Sequence, residues 1–416
     1  MVGAIKRIMY SDGHQIPGWA CNGLNINAYQ NGHKMFEDSY ISSGVRLTIL
    51  NASTFAFYIS ASGDFSIDWG DGNVDTITKT NTTNTLYSHT YDFQGNYYVT
   101  ITGTATGYNT VNGCIAFSHN TNPVIKSAWG SLGTIFPMID DVYPENMFNS
   151  LFKGCTGLSY VDKYLFANIS TTSNSMFQSV FQGCSALKSL DENIFSPVVG
   201  LPKDHLFYLA FAASGLESVS GNLFKSISGQ PENYAFANAF LTCGSLKSIP
   251  ADLFSTIVGV PKMNLFQSTF SSCGSLEAVP AGLFSGINGL LQSSTFYQTF
   301  SNCKAIKSVP AGVFGAFTGN PATSCLNGIF YNCLALETVD SGMWNLDGMN
   351  NYNAATMLDN LFKGCVKLTS SSPTLSSSST TKLWEKFTAY TPNSGNKPFT
   401  NCTLMSDYAS VPSTWR

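Results

Sequence analysis

Apolar and polar positions change rhythm twice along the chain. Before Gly44, order appears only in "LNINAYQNGHKMF", where Ile26 and Ala28 alternate with polar residues ahead of Asn31-Gly32. An Asn-Gly pair after such alternation favours a tight hairpin, so residues 1–44 are predicted to form a small β-arm, too short for a core of its own. From Val45 to Phe117 the period is two: "VRLTIL", "FAFYI", "FSIDWGDG" and "YYVTITG", separated by Gly, Asn and Asp. That pattern predicts an antiparallel β-sandwich over 45–122. Residues 123–147 are read as a connector and the N-terminal cap of a repeat region.

Beyond Phe148 the rhythm is long. Phe, Cys and an aliphatic residue recur as Phe152/Cys155/Leu158, Phe181/Cys184/Leu187, Phe240/Cys243/Leu246, Phe270/Cys273/Leu276, Phe300/Cys303/Ile306, Phe330/Cys333/Leu336 and Phe362/Cys365/Leu368. The unit at Phe211 carries Ser214 instead of cysteine, and Phe399/Cys402/Leu404 is a degenerate last unit. A fixed period of this size predicts a solenoid of about nine units, each burying its apolar face only against its neighbours. A second large apolar residue stands four before each Phe, from Phe148 to Leu358. Residues at i and i+4 share a helix face, so a short helical turn is expected to lead into each Phe. "LKSIP" or "LEAVP" then reads as one short strand ended by Pro, which cannot donate to a ladder. The repeats span 148–369, the Ser-rich 370–398 reads as a linker and insertion, and 399–416 as a capping repeat. The fold class is mainly β.

The cysteines share one phase. Parallel rungs lie about 4.8 Å apart, whereas a disulfide holds its Cβ atoms about 3.8 Å apart. Same-phase cysteines on successive rungs would therefore pair only by distorting the coil, and the thiols are expected to be packed and free.

Candidate chemistry is sparse. His14, His33, His89, His119 and His205 fall in separate segments with no metal-ligand spacing. Asp68 and Asp71 make an acidic turn that falls short of the about six to eight oxygens calcium takes. Neither a nucleophile-elbow serine motif nor a phosphate-binding glycine loop is present. No catalytic, cofactor or metal residue is assigned, and the ligand-binding residues are left open. Tyr208, Tyr297 and Tyr331 each follow a repeat Phe and are expected to point outward, on a surface suited to glycan or protein contact. With 11% charged residues and a net charge of −4 there is no basic footprint for nucleic acid. Nowhere do 18 apolar residues follow one another, and the N-terminal basic residues precede no apolar run, so neither a membrane span nor an export signal is predicted in the chain as given.

Two segments carry family resemblances. "IDWGDG", "SHTY" and "GNYYVTITG" resemble the polycystic-kidney-disease (PKD) immunoglobulin-like domains, which implies a tryptophan packed inside a sandwich, used as a spacer or presentation module. The Phe-x-x-Cys-x-x-Leu units resemble the BspA-like leucine-rich repeats of bacterial surface and phage-associated proteins. Together they imply extracellular display; joined to the lack of a predicted export signal and the small N-terminal arm, the leading expectation is a non-enzymatic display protein on a bacteriophage virion. Its partners would be other virion proteins, through the N-terminal arm, and a host or environmental glycan or protein. A homo-oligomer is allowed. The alternative is a bacterial cell-surface adhesin of the same repeat family, which Cys21 fits poorly as a lipid anchor because no apolar run precedes it. A polysaccharide-active enzyme on a β-repeat scaffold stands third.

Overall fold

The computed structural model describes residues 28–30, 33–35, 44–119 and 125–416. The protein is mainly β, and no helix among the described residues is long and apolar enough to cross a membrane. Strand β1 (Ala28–Gln30) pairs antiparallel with β2 (His33–Met35), Gln30 opposite His33. The remainder of the expected arm, His14 and Cys21 included, lies outside the described residues.

The alternating region forms β3 (Val45–Ile59), β4 (Ser62–Asp68), β5 (Val74–Lys79), β6 (Thr85–Gly107) and β7 (Ile115–Ala116). β8 (Ile125–Gly130) and β9 (Tyr160–Val161) complete one seven-stranded sheet in the order β5-β4-β6-β3-β8-β9, with β7 also on β3. Pairing is antiparallel as expected, except between β8 and β9. The ladder is a single path, not two separate sheets. The reason lies in the long β3 and β6. Bulges between Ile49 and Thr54 bend the pair, so that Val45–Ile49 face Tyr97–Ile101 while Thr54–Ile59 face Thr85–Thr90. Asn51 sits in the bulge at φ 57°, a left-handed conformation that asparagine tolerates better than most residues. Phe55, Phe57, Trp69, Val99 and Ile101 are buried in its core.

The expected connector is itself part of the sheet. β8 lies between β3 and β9, Ser127 opposite Tyr160, and thus serves as the first rung of the repeat region. Phe117 N–H donates to Leu151 O at 2.7 Å, and the Phe117 and Phe152 rings stack at 5.2 Å. Sheet and repeats therefore share one continuous apolar core.

In the repeats every second backbone N–H points to the next rung: Phe148 N to Met176 O, Phe177 N to Leu206 O, Phe207 N to Ala235 O and Phe266 N to Thr295 O, all 2.9–3.0 Å. The intervening N–H groups close turns within their own rung, as Gln267 N to Asn264 O and Ser271 N to Ser268 O do. The helical turn expected before each Phe is absent. In its place stands a run of tight turns with a left-handed residue every fourth position, such as Asn264, Ser268 and Ser272 at φ 57°, 50° and 62°. A four-residue turn period puts i and i+4 on one face just as a helix does, which is why the Phe spacing is common to both. The buried rings form columns: Phe240, Phe270, Phe300, Phe330 and Phe362 succeed one another at 5.3–5.6 Å with planes within 6°.

The short strand expected per unit is seen as a parallel pair at the start of the repeats, where β9 lies on β8, and again late in the chain. There β10 (Ser308–Val309) pairs with β12 (Thr338–Val339), and a second pair that the repeat pattern did not predict forms in the following segment, β11 (Ala316–Gly319) with β13 (Asn345–Met349). Elsewhere it shrinks to single bridges such as Ser218 to Ser248. The Ser-rich segment expected as a linker is built into the fold. Ser372, Thr374 and Ser376 are buried, and Leu383 and Phe387, in and just after a one-turn helix (Leu383–Lys386), are fully buried. Carboxylates hold this segment, among them Asp347, which accepts from Ser376 Oγ at 2.7 Å. Asp407 accepts from Ser372 N (2.9 Å), Ser372 Oγ (2.6 Å) and Lys382 Nζ (2.9 Å). Buried Asp359 accepts from the Tyr390 hydroxyl and from Asn393 Nδ2 at 2.6 Å. The chain end folds back so that Phe399 N bonds Trp415 O at 2.9 Å.

Candidate functional site

The ten cysteines of the described residues are all buried and free. Eight stand at the repeat phase, and each thiol donates to the carbonyl of the phenylalanine one rung earlier: Cys184 to Phe152 O (3.2 Å), Cys243 to Phe211 O (3.0 Å), Cys303 to Phe270 O (3.0 Å), Cys402 to Phe362 O (3.0 Å). The thiol is thus both a small apolar filler and a hydrogen-bond donor, a role that spacing alone did not reveal. Burial pushes these thiols up, Cys243 to about 11 and Cys155, Cys303 and Cys402 to about 12, so they carry no thiolate at neutral pH and are poor nucleophiles. Ser214 fills its slot with one partner, Cys243 Sγ at 3.4 Å.

The acidic turn of the sheet closes on itself. Asp68 accepts from Gly70 N (2.9 Å), and Asp71 accepts from Asn73 N (3.0 Å) and contacts His89 Nε2 at 2.7 Å. Burial would raise the Asp71 carboxyl, but the bonds from Asn73 and His89 outweigh it and hold the group below the ordinary carboxylate range. His89 stacks on Trp69 (5.1 Å, 15°), whose Nε1 donates to Asp75 Oδ2 at 2.9 Å, while the Tyr91 hydroxyl donates to Trp69 O at 3.0 Å. Each of these side chains has a partner within the constellation, which positions β4 against β6. His119 lies apart, its ring 5.8 Å from Tyr58.

On the repeat surface Tyr208, Tyr297 and Tyr331 are half-buried rather than fully outward, because neighbouring rungs flank each ring. Lys363 Nζ, for example, lies 5.8 Å from the Tyr331 ring centroid. A shallow depression of 290 Å³ is lined by Asn193, Ser196, Asn222, Lys225 and Ser226, a set without a carboxylate.

Two surface features emerge only when the rungs are superposed. Directly after each rung's aliphatic residue, Lys188, Glu217, Lys247, Glu277, Lys307 and Glu337 form an exposed ladder of alternating charge. Backbone bonds of 2.8–3.3 Å link each to the next, Glu217 N to Lys188 O being the first. The second is a patch at the edge of two neighbouring rungs. There the His205 and Tyr234 rings stack at 4.4 Å beside Tyr208, and Lys203 pairs with Glu232 at 3.1 Å. Of these, only Tyr208 and His205 stand out in the sequence. The signal for the rest is a column comparison between units, not a motif within one.

No protein-family model matches the chain, and neither a curated protein nor a solved structure matches it.

Proposed function

We propose that this chain is a non-enzymatic display and attachment protein carried on the surface of a bacteriophage virion. The observation that supports this most is the state of the cysteines: ten buried, unpaired thiols, eight built into the rung-to-rung bonding. Such a chain folds in a reducing compartment, and a virion protein is made in the host cytoplasm before it is presented outside. The continuous core from sheet to repeats also suits presentation, since a rigid body holds its surface at a set distance from its base. On this reading the repeats form a leucine-rich-repeat-like solenoid of the BspA type and the bent sheet a PKD-like module. The N-terminal arm docks on other virion proteins. Many copies on one particle convert weak contacts with a host or environmental surface into avidity.

The test is mass spectrometry of purified particles together with electron-microscopic labelling by an antibody against residues 150–410. The intact chain on virions is the expected result. Its recovery on bacterial envelopes alone would replace this reading with that of a cell-surface adhesin.

A further inference from the structure

The left-handed position that opens each rung is occupied by Asn146, Ser175, Asn264, Ser294, Ser324 and Thr356, small polar residues at positive φ. On two adjacent rungs it carries rings instead, His205 and Tyr234, each at φ 54°. A bulky L-residue is disfavoured there, and such outliers gather at binding sites. The backbone does not call for rings at this point, since its neighbours adopt the same turn without them. The two rings stack at 4.4 Å and 14°, and Tyr208 meets them edge-on at 5.2 and 6.3 Å. All three are half-buried. Asp204 bonds His205 Nδ1, Lys203 pairs with Glu232, and Leu201 and Met263 stand 44% and 45% exposed on the same edge. Neither the Tyr208 nor the Tyr234 hydroxyl is taken up by another described residue.

We infer that this patch is a carbohydrate-binding subsite for an acetamido sugar, an inference that rests on the attachment reading. The apolar C–H face of a pyranose packs on half-exposed aromatic rings. Carboxylates and an ammonium group arranged around those rings hydrogen-bond its hydroxyls with charge-assisted strength. Exposed Leu201 and Met263 supply the apolar contact that an acetamido methyl takes and a plain hydroxyl does not.

The experiment titrates the full chain with chitotetraose, and separately with cellotetraose, following the His205 imidazole signals by NMR and the heat of binding by calorimetry. Chitotetraose is expected to shift His205, with cellotetraose binding more weakly by about tenfold or more. Tyr234→Asn is expected to weaken chitotetraose by about tenfold or more with an unchanged or higher Tm, because asparagine is at ease at positive φ. Tyr297→Asn, a half-buried tyrosine outside the patch, is expected to leave binding within about twofold. The inference is overturned if neither sugar shifts His205, if cellotetraose binds as well, if Tyr234→Asn binds unchanged or loses Tm, or if Tyr297→Asn weakens binding equally. Virions that carry the chain while neither sugar binds would sink the subsite alone. Sugar binding by a chain absent from virions would sink the virion reading alone.

Discussion

Phe270→Ala probes the columns that hold the repeats together. The side chain is fully buried. Its ring lies between Phe240 (5.3 Å) and Phe300 (5.5 Å), parallel within 6°, with Phe254 at 6.3 Å. Losing the buried surface costs about 1.5–3 kcal/mol. The remainder comes from the hole, shared by three rungs, and from two ring contacts, each worth about 0.5–1.5 kcal/mol. Backbone bonds restrict collapse into that hole: Phe270 N donates to Thr299 O at 2.9 Å, and its carbonyl accepts from Cys273 N and Cys303 Sγ. The expected loss is therefore in the upper part of the about 3–5 kcal/mol range for Phe→Ala. Phe93→Ala is the matched control, because that ring is 80% exposed, and its expected effect is within about 0.5 kcal/mol. Urea unfolding followed by circular dichroism measures both, with the slope checked because repeat arrays unfold in parts when coupling is lost. A Phe270→Ala loss no larger than that of Phe93→Ala would refute the inward phase of the ring columns.

The interior and the charge ladder set three further expected outcomes. Iodoacetamide is expected to label none of the ten buried cysteines in the native chain and all ten in denaturant, read by mass spectrometry; rapid native labelling of Cys243 or Cys303 would contradict their raised pKa values. Burial pushes the Asp407 carboxyl up, but Ser372 and Lys382 prevail and hold it low, so its contribution is complete at neutral pH and lost as pH falls below about 4 through the folded value. Asp407→Asn should flatten that acid limb in pH-dependent unfolding, and an unchanged limb would exclude the group as its source. Glu277→Lys places an ammonium between Lys247 and Lys307 and should cost about 0.5–2 kcal/mol over two pairs, shrinking in high salt; a salt-independent loss would mean that charge is not the cause.

The period of the repeats is legible in the sequence because Phe, Cys and Leu differ chemically from everything between them and each must land on its own column. The conformation inside a rung is not. An i, i+4 pair of aromatics is shared by a helix and by turns of four residues, and the discriminating signal is polar: Asn264, Ser268 and Ser272 mark the left-handed positions. The segment 370–398 departs from the expected linker because small hydroxyl residues look like a solvated stretch, whereas here their hydroxyls and amides are spent on Asp407, Asp347 and backbone carbonyls. The bend of β3 is hidden as well, because Asn51 within an otherwise alternating strand reads as one more polar position. The patch at His205 and Tyr234 is invisible within one unit and plain once eight are superposed.

Near-identical rungs raise a difficulty that the charge ladder answers. If any rung can stack on any other, looping out one unit or stacking onto a second copy conserves the Phe columns and the thiol bonds almost unchanged, so the apolar core alone does not select the correct order. Alternation of Lys188, Glu217, Lys247, Glu277, Lys307 and Glu337 selects against a slip of one rung. Skipping one rung puts like charges side by side, Glu217 against Glu277 or Lys247 against Lys307, each pair destabilising where the native neighbours attract. The ladder is exposed and contributes little to the stability of the correct stack; Lys188 and Glu217 approach only to 3.8 Å. Its effect is on the difference between the correct stack and a slipped one, because a skipped rung replaces attractive neighbours with a repulsive pair at the junction. Ser214 adds a second mark of order, since it is the rung where a hydroxyl replaces the thiol and the column becomes asymmetric. On the attachment reading, presenting one patch at one height depends on that order being unique.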